Sequence, residues 1–430
     1  MNGSTMGLTF SSASPIRPNQ KPTSVLPVVG NGEYEVGCAD IMVKGEGKMD
    51  PGVFARLFYP SRRKDDETDK EYKTEENNNE RDVDYPIWRP RKEYVDGLAG
   101  YRQMNPRTMH FFFDWVVGER RIPAGWHEPL YTKQEIPEKS KAEPISGESV
   151  QDESLPKFPI VIFSHGISGS RLIYSTFCAS LASHGFLVAA LEHRDRSSSW
   201  TYHLDTDSDS GAYVEREILM TSFPDGEEEF KARNEQLHFR ISECVKALDV
   251  LKELNFGYEE QISRNKVIHG HDFDWSQFKN RLDISNTAVI GHSFGGAAAL
   301  AATACSSEFR TSVVLDGWLY PIDDELYPKI TLPALFINAS KWQWAENVRR
   351  MDIVHQSFSD FGFLMPGYIG RKFGLQGDLD PLDTGSVIVD IVATYLRECF
   401  QNQRSIDRLR EFSKNHEDLV LEGTDLDLTK

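Results

Sequence analysis

The 430-residue chain is poor in cysteine, in positive charge and in long apolar runs. Its five cysteines, Cys38, Cys178, Cys244, Cys305 and Cys399, are scattered and include no CxxC pair. That excludes a disulfide framework and a thiolate zinc site, and leaves reduced, buried thiols as the expectation. Lys and Arg number 48 against 66 Asp and Glu, a net charge of -18. Such a surface repels phosphate backbones, so nucleic acid is not an expected partner. No stretch is apolar for long enough to form a transmembrane helix, and the Ser/Pro/Asn-rich first 30 residues hold no apolar run of signal-peptide length. Met6-Gly7-Leu8-Thr9-Phe10-Ser11 fits the N-myristoylation pattern only for translation starting at Met6; as written, Asn2 follows the first Met. The cytoplasm is the default location.

What is present is ample apolar material, 39% of the residues, and an ordered alternation of segments. Residues 1–33 read as a disordered N-terminal segment by composition. A single α/β domain is expected over 34–400, with polar inserts near 62–84, 133–154 and 205–229, and a polar tail over 401–430. Val53–Pro60 reads as a strand. Phe158–Phe163 and Phe186–Leu191 are short apolar runs, as in strands buried on both faces. Arg171–His184 between them has helical spacing and stops at Gly185, so the three make a parallel βαβ unit. Leu237, Ile241, Val245, Leu248 and Leu251 repeat at steps of three and four, predicting an amphipathic helix over Gln236–Leu254. Thr287–Ile290, Ser312–Leu315 and Pro333–Ile337 are further strands. Strands alternating with helices predict an α/β fold, a mostly parallel central sheet covered by helices on both faces.

The chemistry centres on Gly291-His292-Ser293-Phe294-Gly295. A strand feeds into this GxSxG pattern and a helix of small residues, Gly296–Ala302, leaves it, which is the strand–turn–helix of a nucleophile elbow. Glycines on either side leave room where a Cβ would clash. A serine hydroxyl needs a base to take its proton, and on this type of fold the partners follow in the order Ser, Asp, His. His355 and His416 alone lie beyond position 316, and His416 sits in a polar tail, so His355 is the candidate base. Asp316, at the end of an apolar strand, is the candidate acid that orients its imidazole. The oxyanion hole needs two backbone N–H groups, one from Phe294 and one from the loop Ser164–Gly169, where Ile167 is the choice. His165, His193 and Asp195 lack metal-ligand spacing and read as hydrogen-bonded structural groups; no metal and no cofactor is expected.

Several stretches resemble the platelet-activating-factor acetylhydrolases of the plasma and intracellular type II branch. They are the run from Phe163 to Tyr202, with its His165-Gly166 and Glu192-His193-Arg194-Asp195-Arg196-Ser197, GHSFGG at 291–296, LDGWLYP at 315–321 and VHQSFSDFGF at 354–363. Cys38–Met42, Arg56–Pro60 and Pro86–Trp88 look similar too, so the likeness covers roughly 34–400. The resemblance implies an α/β-hydrolase fold and a calcium-independent, lipase-like esterase. It would remove short or oxidised acyl chains from the sn-2 position of phospholipids, platelet-activating factor among them. Position by position, Ser293, Asp316 and His355 match the family's nucleophile, acid and base, and Ile167 and Phe294 its oxyanion positions. One departure stands out. The family has a full strand and its loop before the histidine; here the helix-like Trp342–Met351 is followed at once by Asp352-Ile353-Val354-His355, and three residues span only about 10 Å at ~3.3 Å each. A hydrolase-fold protein with an impaired site is therefore one alternative reading, and a generic carboxylesterase another.

A lipid esterase must take its substrate from an interface. The aromatic run Met109–Val117, with Phe112 and Trp115, is one candidate membrane contact, and Phe363-Leu364-Met365 a second. The competing reading for both is core packing. Phospholipid substrate and peripheral membrane contact are the expected partners.

Overall fold

A computed structural model describes residues 6–10, 25–45, 52–64, 83–132, 155–206, 212–223, 226–257, 267–339, 355–401, 407–416 and 420–422. The strands are β1 (Met6–Phe10), β2 (Tyr34–Val43), β3 (Val53–Arg63), β4 (Gly125–Trp126), β5 (Phe158–Ser164), β6 (Leu187–Leu191), β7 (Trp200–Thr206), β8 (Tyr213–Leu219), β9 (Val267–His269), β10 (Leu282–His292), β11 (Thr311–Leu315), β12 (Ala334–Asn338) and β13 (Val420–Glu422). The main helices are α1 (Glu93–Tyr101), α2 (Pro106–Phe112), α3 (Ser175–Ser183), α4 (Glu227–Phe256), α5 (Phe294–Cys305), α6 (Pro381–Phe400) and α7 (Asp407–Asn415).

One sheet runs in the order β13-β1-β12-β11-β10-β5-β6-β3-β2-β4, with β9 on β2. From β1 to β6 every neighbouring pair is parallel. Beyond β6 it turns antiparallel through β3 and β2. The apolar runs are continuous because both faces are covered. Val161, Phe163, Ile290 and Val313 face a core shared with α3 and α6, whereas Ile160, Ile162 and Val289 face Cys244, Leu248 and Leu251 of α4 and Ala299 and Ala302 of α5. Alternate side chains of a strand point to opposite faces, so such a run feeds two cores at once.

Several sequence expectations need correction. The segment 1–33 is not uniformly unstructured: Met6–Phe10 pairs in parallel with β12, and Leu26 and Val29 are buried. The polar insert at 205–229 contains β8, which forms a hairpin with β7, and the start of α4; α4 runs 30 residues, well beyond the apolar repeat that revealed it. The tail after 400 contributes α7 and β13. Most of 62–84, all of 133–154, and the helix-like Trp342–Met351 lie outside the described residues. Leu364 is fully buried in the core and cannot touch a membrane. Its neighbour Phe363 is only partly buried, but Leu364 sits on the inner side of a short helix, Phe361–Leu364. No described helix is long and apolar enough to cross a membrane.

Candidate active site

The candidate residues gather at the C-terminal ends of β5, β10 and β11, three adjacent parallel strands, where open α/β sheets place their ligands. Ser293 follows β10 directly and caps α5, with φ 56° and ψ -120°. A positive φ at a non-glycine residue stores on the order of 1–3 kcal/mol, held here by the surroundings. Its N–H donates to the Leu315 carbonyl at 3.0 Å, and its own carbonyl accepts from Gly296 and Trp318 at 2.9 Å. The turn is closed by close approach: a Cβ on Gly291 would strike the Gly295 carbonyl, and one on Gly295 the Ser164 carbonyl. Ser293 is half-buried, so its hydroxyl remains reachable.

Asp316 follows β11 in the same way, also at positive φ, 44°. Its N–H donates to Ile337 O at 2.8 Å, and Ala339 N–H donates to its Oδ1 at 3.0 Å. Both contacts come from the end of β12, so the carboxylate is aimed by the neighbouring strand. Its other oxygen, Oδ2, meets His355 Nδ1 at 2.6 Å. At that length the bond is charge-assisted and strong. The short connection before His355 therefore does not keep the histidine from Asp316.

His292, the variable residue inside the pentapeptide, is buried and links to His355 as well. Its Nε2 lies 2.9 Å from the His355 carbonyl. A carbonyl only accepts, so Nε2 carries the proton and Nδ1 accepts from the Tyr174 hydroxyl at 2.8 Å. The Tyr174 oxygen accepts in turn from Gly166 N–H at 3.2 Å. Burial, with the neighbouring His355 second, holds His292 well below the usual histidine range, so this link stays neutral.

In the loop after β5, Gly166 N–H goes to Tyr174, Ser168 N–H to Ser197 O and Gly169 N–H to Gly166 O. Ile167 lies between these bonded N–H groups, in the loop that packs against Ser293. Phe294 N–H belongs to the first turn of α5, whose N–H groups have no intrahelical acceptor.

Behind them sits a buried polar cluster. Arg240 on α4, with no exposed surface, donates to Asp195 Oδ2 at 2.8 Å, Ser197 Oγ at 2.6 Å and the His165 carbonyl at 2.5 Å. Its guanidinium lies 4.3 Å from the centre of the Phe294 ring. Burial opposes ionisation of Asp195, yet Arg240 holds its carboxyl below the usual range. His193 bridges Ser164 Oγ and Glu243 Oε2, each at 2.7 Å. His165, His193 and Asp195 are hydrogen-bonded structural groups, as expected, and no group of metal-ligating side chains occurs among the described residues. Sequence reasoning missed Arg240 and Glu243. The signal was present: Arg240 lies three residues after Leu237 and four before Cys244, a charge on an apolar stripe, which is seldom buried unless paired.

Comparison with known proteins places the chain in a family. A family model described as platelet-activating factor acetylhydrolase, isoform II, matches residues 20–139 and 139–419. A platelet-activating factor acetylhydrolase of Gallus gallus is 34% identical over 424 residues, covering 93% of this chain and 90% of that protein. The protein of that name from Canis lupus familiaris is 32% identical over 420 residues, with 93% and 83% covered. Among solved structures, a ferulic acid esterase from Streptomyces cinnamoneus superposes with a TM-score of 0.53 at 16% identity, over 93% of this chain and 99% of that one, a likeness of fold. The chain belongs to the platelet-activating factor acetylhydrolase isoform II family.

Proposed function

We propose that the chain is a serine esterase that hydrolyses the sn-2 acetyl, or a short or oxidised sn-2 acyl, of platelet-activating factor and related phospholipids. The observation that carries the reading is the 2.6 Å hydrogen bond between Asp316, at the end of β11, and His355, with Ser293 on a strained elbow at the end of the adjacent strand β10. Ser293 Oγ attacks the ester carbonyl carbon while His355 Nε2 takes the hydroxyl proton. Asp316 holds the imidazole with Nδ1–H toward itself and stabilises the cation that forms. Ile167 and Phe294 N–H receive the negative oxygen of the tetrahedral intermediate. Collapse expels the glycerol oxygen, which takes the proton from His355 and leaves acetyl-Ser293. Water, deprotonated by His355, then releases acetate and restores the hydroxyl.

The test is turnover of an sn-2 acetyl phospholipid against its long-chain sn-2 analogue, together with fluorophosphonate labelling and a Ser293→Ala control. Preference for acetyl with Ser293-dependent labelling supports the reading. Equal turnover of both lipids makes the chain a general carboxylesterase, and no Ser293-dependent labelling makes it catalytically silent.

Peripheral contact with a membrane belongs to the same proposal. Trp115 and Phe111 are 73% and 69% exposed and stack at 6.5 Å between ring centres. Phe112 is half-buried against Phe113 and Phe373. Exposed aromatic rings of this kind insert at the headgroup boundary. A cytoplasmic location is part of the reading, supported by five unpaired cysteines, Cys305 exposed among them. Replacing Phe111 and Trp115 together by Ser is expected to lower liposome binding several-fold and leave hydrolysis of a water-soluble ester unchanged. Unchanged liposome binding removes this face from the proposal.

A further inference from the structure

His355 opens a four-residue 3-10 turn, His355–Phe358, and its side chain is 44% exposed, held on its inner side by Asp316 and by the His292 ring at 4.4 Å. The chain that follows adds a further anchor. Five residues on, Asp360 is completely buried. Its carboxylate accepts from Ser175 N–H at 2.9 Å, Thr176 N–H at 2.8 Å and Trp88 Nε1–H at 2.8 Å, and its own N–H donates to Ile173 O at 2.8 Å. Ser175 and Thr176 are the first two residues of α3, whose N–H groups need an acceptor from outside the helix. Tyr174, at the cap position, supplies none; its hydroxyl serves His292 instead. Asp360 therefore caps α3 from 185 residues away in sequence through these hydrogen bonds, while burial pushes its carboxyl up to about 7.

Two hydrogen-bonded links from the His355 segment thus end on the single turn Ile173–Thr176: one through His292 to Tyr174, the other through Asp360. That same turn receives Gly166 N–H from the loop carrying Ile167. Around Asp360, Trp88 stacks on Phe113 at 6.3 Å and meets the Phe361 ring edge-on at 6.1 Å. An ordinary buried carboxyl would need only enough donors to be satisfied; this one draws them from two separate elements and lies on the segment of the histidine.

We propose that Asp360 is a positioning residue for the catalytic base, a helix cap supplied in trans that seats the His355 turn on the α3 N-terminus. This rests on the triad reading above. The experiment measures kcat and KM on p-nitrophenyl acetate, and melting temperature, for Asp360→Asn, Trp88→Phe, His355→Ala and the double variant Asp360→Asn/His355→Ala. In Asp360→Asn one acceptor oxygen becomes an NH2 facing N–H donors, so the turn shifts. A misplacement near 1 Å costs on the order of 100-fold in rate. Expected is a 10- to 100-fold fall in kcat with KM within about twofold, and no further fall when the change is added to His355→Ala. Trp88→Phe removes one neutral donor and keeps an aromatic ring, so it carries the test if Asp360→Asn does not fold; a few-fold loss of kcat is expected, again absent on His355→Ala. The proposal is overturned if kcat is unchanged while the melting temperature falls, or if the same factor is lost without His355. If His355→Ala itself retains full activity, the triad reading fails instead.

Discussion

Asp316→Asn removes one charge and leaves the shape of the site intact, so its effect can be worked from the contacts. Asp316 Oδ1 is held by Ala339 N–H and Oδ2 meets His355 Nδ1 at 2.6 Å. In the variant the Ala339 N–H keeps the amide oxygen on its side, which puts the NH2 against Nδ1. Two donors cannot face each other, so the imidazole must turn its Nδ1 lone pair to the amide and carry its proton on Nε2, where it cannot accept one from Ser293. The electrostatic part adds to this. A carboxylate and an imidazolium about 4 Å apart attract by ~4 kcal/mol at an effective dielectric of ~20. His355 is 44% exposed, so solvent screening reduces that to ~2–3 kcal/mol, or roughly 30- to 150-fold in rate. With the wrong tautomer included, kcat on p-nitrophenyl acetate should fall by about 10³ to 10⁴, with KM and melting temperature little changed. A fall of less than tenfold in a folded variant would show that Asp316 does not orient the base.

Arg240→Met should be destabilising by about 3–5 kcal/mol, because it leaves the buried Asp195 carboxylate without its partner. It should also lower kcat more than KM, since the guanidinium joins the His165 carbonyl to the Phe294 ring; urea unfolding and ester kinetics check both, and a shift below 1 kcal/mol refutes the first. Glu243 offers a pH test. Burial pushes its carboxyl up to about 8, against the opposing pull of Arg194. The folded state then holds a proton that the unfolded chain releases, so this group's contribution is present below the usual Glu range and is lost as pH rises through 8. Glu243→Gln mimics the protonated form, so its melting temperature should gain on that of the wild type between pH 5 and pH 8; a constant or shrinking difference contradicts the assignment.

Much of the fold is legible in local pattern. The parallel strands appear as continuous apolar runs because alternate residues feed two cores, and α4 appears through its repeat of three and four. What escapes is structure whose cause lies elsewhere in the chain. β1 is a polar-flanked pentapeptide that pairs because β12 on one side and β13 on the other present edges to it. Leu364 reads as part of an apolar surface run, and only the packing of its short helix turns it inward. The reverse holds for Trp115, which lies in an aromatic run whose Phe113 and Val117 are buried but which the π-turn Phe113–Val117 leaves outside.

At the site the division follows the same line. Ser293 was determined by its pentapeptide, since the steric demand for glycine on both sides is local. Chain order then singled out Asp316 and His355, because the sheet's topology restricts where an acid and a base can follow. Whether His355 meets Asp316 was not decidable from the three residues before it. Tertiary structure decided that, through the end of β12 aiming the carboxylate and through Tyr174 and Asp360 holding the histidine turn. Those contacts span tens to hundreds of residues, and a hydrogen bond between distant segments leaves no periodicity in the sequence to read.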